Sequence, residues 1–394
     1  MRKNNRKKAV TQAISTAVAL GWLIMQVESA KAATLVVNNL NDSGVGSLRD
    51  IISIANSNDV VEFLLESHPS TITLTSGTLA IPAAGYAGAK DLTINGPGAN
   101  LLTISSNNQF PVFDISAANV TLSGLAIAGD FNAYDSGNLT FINSTVSGDN
   151  VNIDSNLTLI NSTISADNVK IDNATDNLGL INSTISSNNN IEINASDVRL
   201  SDHSHLISKN NIEINASDVM LSDHSHLFSS NNIEINASLL SIQDNSNIAT
   251  SNAISNSGTL SISTANLGLN NDAQINAGSN NSQPGGTLSI SIPELLLRRV
   301  PQPSAIAGDS NNSRLGGNIA INANNGFIVA LPNEPSAIAA GSNNSGAAGS
   351  ITVTASSISL TRVPEPSAIA GSILAVSLAW LAKRKQAAFS KAKV

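Results

Sequence analysis

The 394-residue chain contains no cysteine, so neither disulfide staples nor thiolate chemistry is open to it. Aromatic residues make up 3%, too few for the aromatic-rich core of an ordinary compact globule. Charged residues make up 12%, which fits poorly with disorder, since disordered chains are rich in charge and poor in Ile and Leu. Positive charge is scarce in the middle. Arg2, Lys3, Arg6, Lys7, Lys8 and Lys31 lie near the start, against Glu28; Lys383, Arg384, Lys385, Lys391 and Lys393 lie at the end. Of 20 basic and 28 acidic residues, nine and 27 remain between these ends, so the middle carries −18 against −8 overall. An acidic body argues against nucleic acid and anionic lipid as partners and suits cations or neutral glycans.

What is abundant is Asn, Ser, Ile, Leu, Ala and Gly, with apolar and polar residues alternating. Repeats set the fold. The string Asn-Asn-Ile-Glu-Ile-Asn-Ala-Ser begins at Asn189, Asn210 and Asn231, at intervals of 21 and 21. Ile-Asn-Ser-Thr begins at Ile142, Ile160 and Ile181, at intervals of 18 and 21. Ser-Asp-His-Ser-His-Leu occurs at Ser201 and Ser222. About 20 residues is the length expected for one coil of a parallel β-helix. Leu157 and Leu159, Val169 and Ile171, Ile191 and Ile193, and Ile212 and Ile214 alternate as half-buried strands do. Equal spacing stacks like on like, so Asn194, Asn215 and Asn236 are expected to form an asparagine ladder.

The ends read as addresses. Met1–Lys8 is basic, Ala9–Met25 is largely apolar, and Ala30-Lys31-Ala32 offers small residues around a cut after Ala32; this is the order of a secretory signal. At the other end Val363-Pro364-Glu365-Pro366-Ser367 precedes an apolar run, Ala368–Ala382, and the basic Lys383-Arg384-Lys385. That order resembles the PEP-CTERM sorting signal of Gram-negative bacteria, over about the last tenth of the chain. The resemblance implies recognition by an exosortase-like membrane protease after passage through the Sec export machinery. Fifteen residues at ~1.5 Å each give a helix of ~22 Å, a minimal membrane span. The similar strings Val300–Gly308 and Leu331–Ala339 lack the apolar run and basic cluster, and are expected to be loops of the repeats.

Near the start, Thr34–Val37 reads as a strand and Asn41–Gly46 as a turn. Ser47 then reads as the N-cap of a helix with apolar Leu48, Ile51, Ile52 and Ala55 on one face, which would cap the open end against strand addition. Over residues 33–130 this start, with Gly46-Ser47-Leu48-Arg49, Asp91–Gly98, Phe113-Asp114-Ile115 and Val120–Leu125, resembles pectate-lyase-like β-helix surface proteins. Further on, the openings at Gly285, Gly316 and Gly349, with Phe327–Asn333, resemble filamentous-haemagglutinin-like exoproteins of cyanobacteria, many of them adhesins.

The expected fold is all-β: a right-handed parallel β-helix solenoid with an N-terminal amphipathic capping helix and a C-terminal transmembrane helix. Its expected segments are a signal peptide (1–32), a capped region (33–135), short-period repeats (136–250), longer Gly/Asn/Ser-rich repeats (251–362) and the sorting tail (363–394). The expected location is the cell envelope or surface, or the extracellular space, with transient anchoring in the inner membrane. The expected role is structural or adhesive, toward exopolysaccharide or neighbouring cells. The alternative is a polysaccharide lyase or hydrolase, which needs a basic residue with carboxylates for Ca²⁺, or clustered Asp residues. Lys170, Arg199 and Lys209 are the cations of the central repeats, and Asp197, Asp202, Asp218 and Asp223 recur with the repeat, as corner residues do. No catalytic residue and no cofactor is assigned. His203, His205, His224 and His226 form the one set with metal-ligand chemistry: residues two apart share a strand face, and copies stack at ~4.8 Å. The other reading is a solvent-facing ladder that duplicated with its repeat.

Overall fold

The computed structural model describes residues 32–66, 69–81, 91–116, 119–134, 137–250, 258–270, 272–278, 286–297, 305–307, 318–330, 337–339, 350–355 and 358–361. The chain divides into two compact units, Met1–Ala237 and Ser238–Val394.

In the first unit each full coil supplies three strands, one to each of three parallel ladders. The first ladder runs through Thr34–Val37, Asp59–Phe63, Leu92–Asn95, Val120–Ser123, Asn138–Ile142 and Asn156–Ile160. The second joins Ser70–Thr73, Leu102–Ser105 and Ala126–Ala128. The third joins Leu79–Ile81, Phe113–Ser116 and Phe131–Tyr134. Further along, strands turn corners without losing their pairing, so Thr163–Ile181 takes part in all three ladders.

The alternation read from the sequence explains the core. Leu92, Val120, Leu139, Leu157, Leu178, Val198 and Val219 stack in one register column and are almost free of solvent. Burying each such side chain stabilises the fold by about 1.5–3 kcal/mol. Three of the few aromatics pack together: the Phe131 ring lies 6.0 Å from that of Phe113 and 5.3 Å, edge to face, from that of Phe141.

The corners decide where the coil turns. Asn143, Asn161 and Asn182 all adopt left-handed backbone, φ 47–49°, which Asn tolerates better than other non-glycine residues. At Gly124 (φ +62°) the approach is closer: a Cβ would lie 2.6 Å from the Gly96 carbonyl oxygen of the adjacent layer.

Helix α1 (Leu48–Ile54) lies against Thr34–Val37 and Leu79–Ile81, burying Leu48, Ile51 and Ile52. Ser47 caps it by accepting the Asp50 N–H, as the sequence predicts. Arg49 pins the cap to the coil, donating to Asp42, to the Thr78 carbonyl at 2.8 Å and to the Gly77 carbonyl. Burial alone would raise the Asp42 carboxyl, but hydrogen bonds from Ser76, Arg49 and the Thr75 and Ser76 backbone override it and hold it far below the usual carboxylate range.

The second unit also builds three ladders. Asn247–Thr250, Gln274–Asn276, Ala305–Ala307 and Ala337–Ala339 pair in turn. Thr259–Leu269 pairs with Thr287–Leu297, which pairs with Asn318–Ala330. The last of these pairs with both Ile351–Ala355 and Ile358–Thr361. Ala305–Ala307 and Ala337–Ala339 lie inside the two strings expected to be loops. That expectation is corrected: each Ala-Ile-Ala is a short strand, because Ile306 continues the buried position of Ile275 in register. Among the described residues no helix is long and apolar enough to cross a membrane. The signal segment before Ala32 and the sorting tail, with Val363, Pro364, Glu365 and Pro366, lie outside the described residues.

Candidate functional site

The polar side chains of the first unit form columns that run from coil to coil. The expected asparagine ladder is present. Asn236 donates to Asn215 at 2.9 Å, Asn215 to Asn194 at 3.0 Å, and Asn194 to Asp172 at 2.9 Å. Each of these asparagines also donates to the glutamate two residues before it: Asn194 to Glu192, Asn215 to Glu213 and Asn236 to Glu234. Glu192 and Glu213 are register partners, and Lys170 ends this acidic column. Lys170 lies 2.6 Å from Asp172 and 3.8 Å from Glu192. The hydrogen bond and charge of Asp172, then the charge of Glu192, raise the Lys170 ammonium; Lys170 and Asn194 in turn lower Asp172.

A second column is buried at the corners and was not anticipated. The Ser162 hydroxyl accepts the Ser144 N–H, Ser183 accepts from Ser162, Ser204 from Ser183, and Ser225 from Ser204, all at 3.0–3.2 Å. These serines are essentially solvent-free, and each satisfies a backbone donor that the corner would otherwise strand. The signal was present in the sequence as the third residue of Ile-Asn-Ser-Thr and the fourth of Ser-Asp-His-Ser-His-Leu.

The histidines mark a change of corner. Asn182 turns its corner alone, whereas Asp202 and His203, and then Asp223 and His224, turn theirs as left-handed pairs, φ 53–63°. His203 therefore sits in the corner, and only His205 begins a strand, His205–Ser208. His203 thus lies outside the strand expected to carry both rings, but Ser204 is buried between an exposed His203 and a half-buried His205, so the two-residue alternation persists across them. Stacking between copies holds: His203 and His224 rings are 4.9 Å apart and nearly parallel, and those of His205 and His226 are 5.2 Å apart and tilted by 40°. Burial, then the charge of His203, lowers the His205 imidazole. Among the described residues no group of three or more His, Asp or Glu side chains is placed to hold a metal ion. Parallel rings direct their nitrogen lone pairs along parallel planes, a poor arrangement for convergence on one ion.

These features define a class, an all-β coil of parallel strands laced by polar ladders. No protein-family model, no curated protein and no solved structure matches the chain.

Proposed function

We propose that the chain is an exported structural protein of the cell surface or extracellular matrix, associated with exopolysaccharide. On this reading the coil is a right-handed parallel β-helix. Sec machinery exports it, the segment after Pro366 anchors it transiently in the inner membrane, and an exosortase-type protease acts on the tail at Val363–Pro366. The observation that carries the structural role is where the repeated polar groups direct their hydrogen bonds. Asn194, Asn215 and Asn236, and Ser144, Ser162, Ser183 and Ser204, bond to their own copies in the next coil. Side chains that recur with the period and bond to one another support a scaffold more than an assembled catalytic centre. The acidic column at Glu192 and Glu213 favours neutral or cation-bridged glycans over nucleic acid.

The test is fractionation of the tagged protein with mass spectrometry of its C-terminus. The expected result is envelope or extracellular material lacking the tail beyond the Pro-Glu-Pro motif. Intact protein confined to the inner membrane overturns the sorting reading.

A further inference from the structure

The column Leu92–Val120–Leu139 is headed by Asp59, a nearly solvent-free carboxylate where the layers behind carry aliphatic side chains. Asp59 Oδ2 accepts the Asn56 N–H at 2.8 Å, and Oδ1 accepts the Ala33 N–H at 2.7 Å. The Ala33 carbonyl in turn accepts the Val60 N–H at 2.8 Å. Ala33 is thus held on both sides of its Cα, immediately before the first strand. Ala32 and Ala33 are themselves exposed, so the peptide bond between them is accessible.

That bond is also the one flanked correctly for signal cleavage, with Ala32 next to it and Ala30 two residues further back. A cut after Ala30 would put Glu28 in the outer small-residue position, and a cut after Ala33 would put Lys31 there.

We propose that Ala33 is the mature amino terminus and that its α-ammonium forms an ion pair with Asp59 that locks the first coil. This rests on the export reading above. Hydrolysis consumes one water and breaks the C–N bond; Ala32 leaves as a carboxylate and Ala33 keeps an amine, protonated at neutral pH because α-amines titrate near ~8. Before the cut the Ala33 nitrogen offers one neutral N–H. After it, the same nitrogen offers three donors and a positive charge to a buried carboxylate, and charge-assisted hydrogen bonds are about twice as strong as neutral ones. Removal of the leader thereby tightens the coil it preceded. Pairing raises the ammonium, so its stabilisation is complete below about pH 8 and fades as pH rises through the folded value.

The experiment compares two exported full-length chains, the natural one and one with Ser-Gly inserted between Ala32 and Ala33, each with and without Asp59→Asn. The insertion keeps the cleavage site but leaves an amide at Ala33. The readout is hydrogen-exchange protection of the Val60 N–H. Asp59→Asn is expected to lower protection about tenfold in the natural chain and much less in the inserted one. Equal losses in both overturn the ion pair. Should Asp59→Asn not fold, the natural and inserted chains alone decide: greater protection of the natural chain at about pH 6 that vanishes by about pH 10 supports the pair, and no difference at either pH overturns it. Mass spectrometry of the N-terminus separates the two readings. An uncut leader sinks export itself, whereas a cut at another bond leaves export standing and overturns only this inference.

Discussion

The imidazole rings of His203 and His224 lie 4.9 Å apart and within 7° of parallel, beside the pair His205 and His226. His205 is held below its ordinary value by burial and by His203, so the unfolded chain takes up the proton first. Its stabilisation is present above about pH 6.5 and is lost as pH falls toward the folded value. Thermal stability is expected to fall over that acid range. His205→Thr, which installs the residue of its register partner Thr184, should reduce the slope. An unchanged pH profile would remove His205 from this role.

A second acid phase belongs to Asp42. Its carboxyl is strongly lowered, so its contribution is present above the unfolded value near ~3.9 and disappears as pH falls further. Asp42→Asn should abolish that phase while sparing the histidine phase. Titration followed by circular dichroism at two temperatures separates them.

Ser204→Ala removes the acceptor of the Ser183 N–H and the donor to the Ser201 carbonyl. The stranded buried N–H should cost about 1–3 kcal/mol, read from denaturant unfolding. A loss no greater than that of an exposed Ser217→Ala control would argue against the corner column as a stabilising device.

Asn215 bonds to Asn194 above and Asn236 below. Asn215→Ala should cost about 1 kcal/mol. Asn215→Asp should cost more, since it turns the hydrogen bond to Glu213 into a repulsion between carboxylates. Added salt should relieve the second loss more than the first.

Gly124→Ala would combine left-handed backbone with a Cβ 2.6 Å from the Gly96 carbonyl oxygen. Upwards of about 2 kcal/mol is expected, because rigid backbone has nowhere to retreat. A variant as stable as the parent would mean that this corner can open.

Some of this architecture was legible in the sequence because identical spacing forces identical neighbours. The 21-residue recurrence of Asn194, Asn215 and Asn236 announced their ladder, and the spacing of Leu48, Ile51 and Ile52 behind Ser47 announced the cap. What escaped depends on contacts between distant segments. Arg49 reaches the Gly77 and Thr78 carbonyls, and Asp59 meets Ala33, across intervals that no period marks. The serine column escaped for another reason. Serine looks like any other polar corner residue until the backbone donor it satisfies is placed. The place of His203 in a corner escaped because a left-handed pair, Asp202 and His203, turns where Asn182 turns alone one layer earlier.

Segments 189–209 and 210–230 differ at only three positions and lie in register along their strands. Copying or deleting one such segment would leave every remaining layer facing a neighbour of its own kind. Slippage in the coding sequence could then lengthen or shorten this unit by whole storeys, with new neighbours only at the three positions where the copies differ.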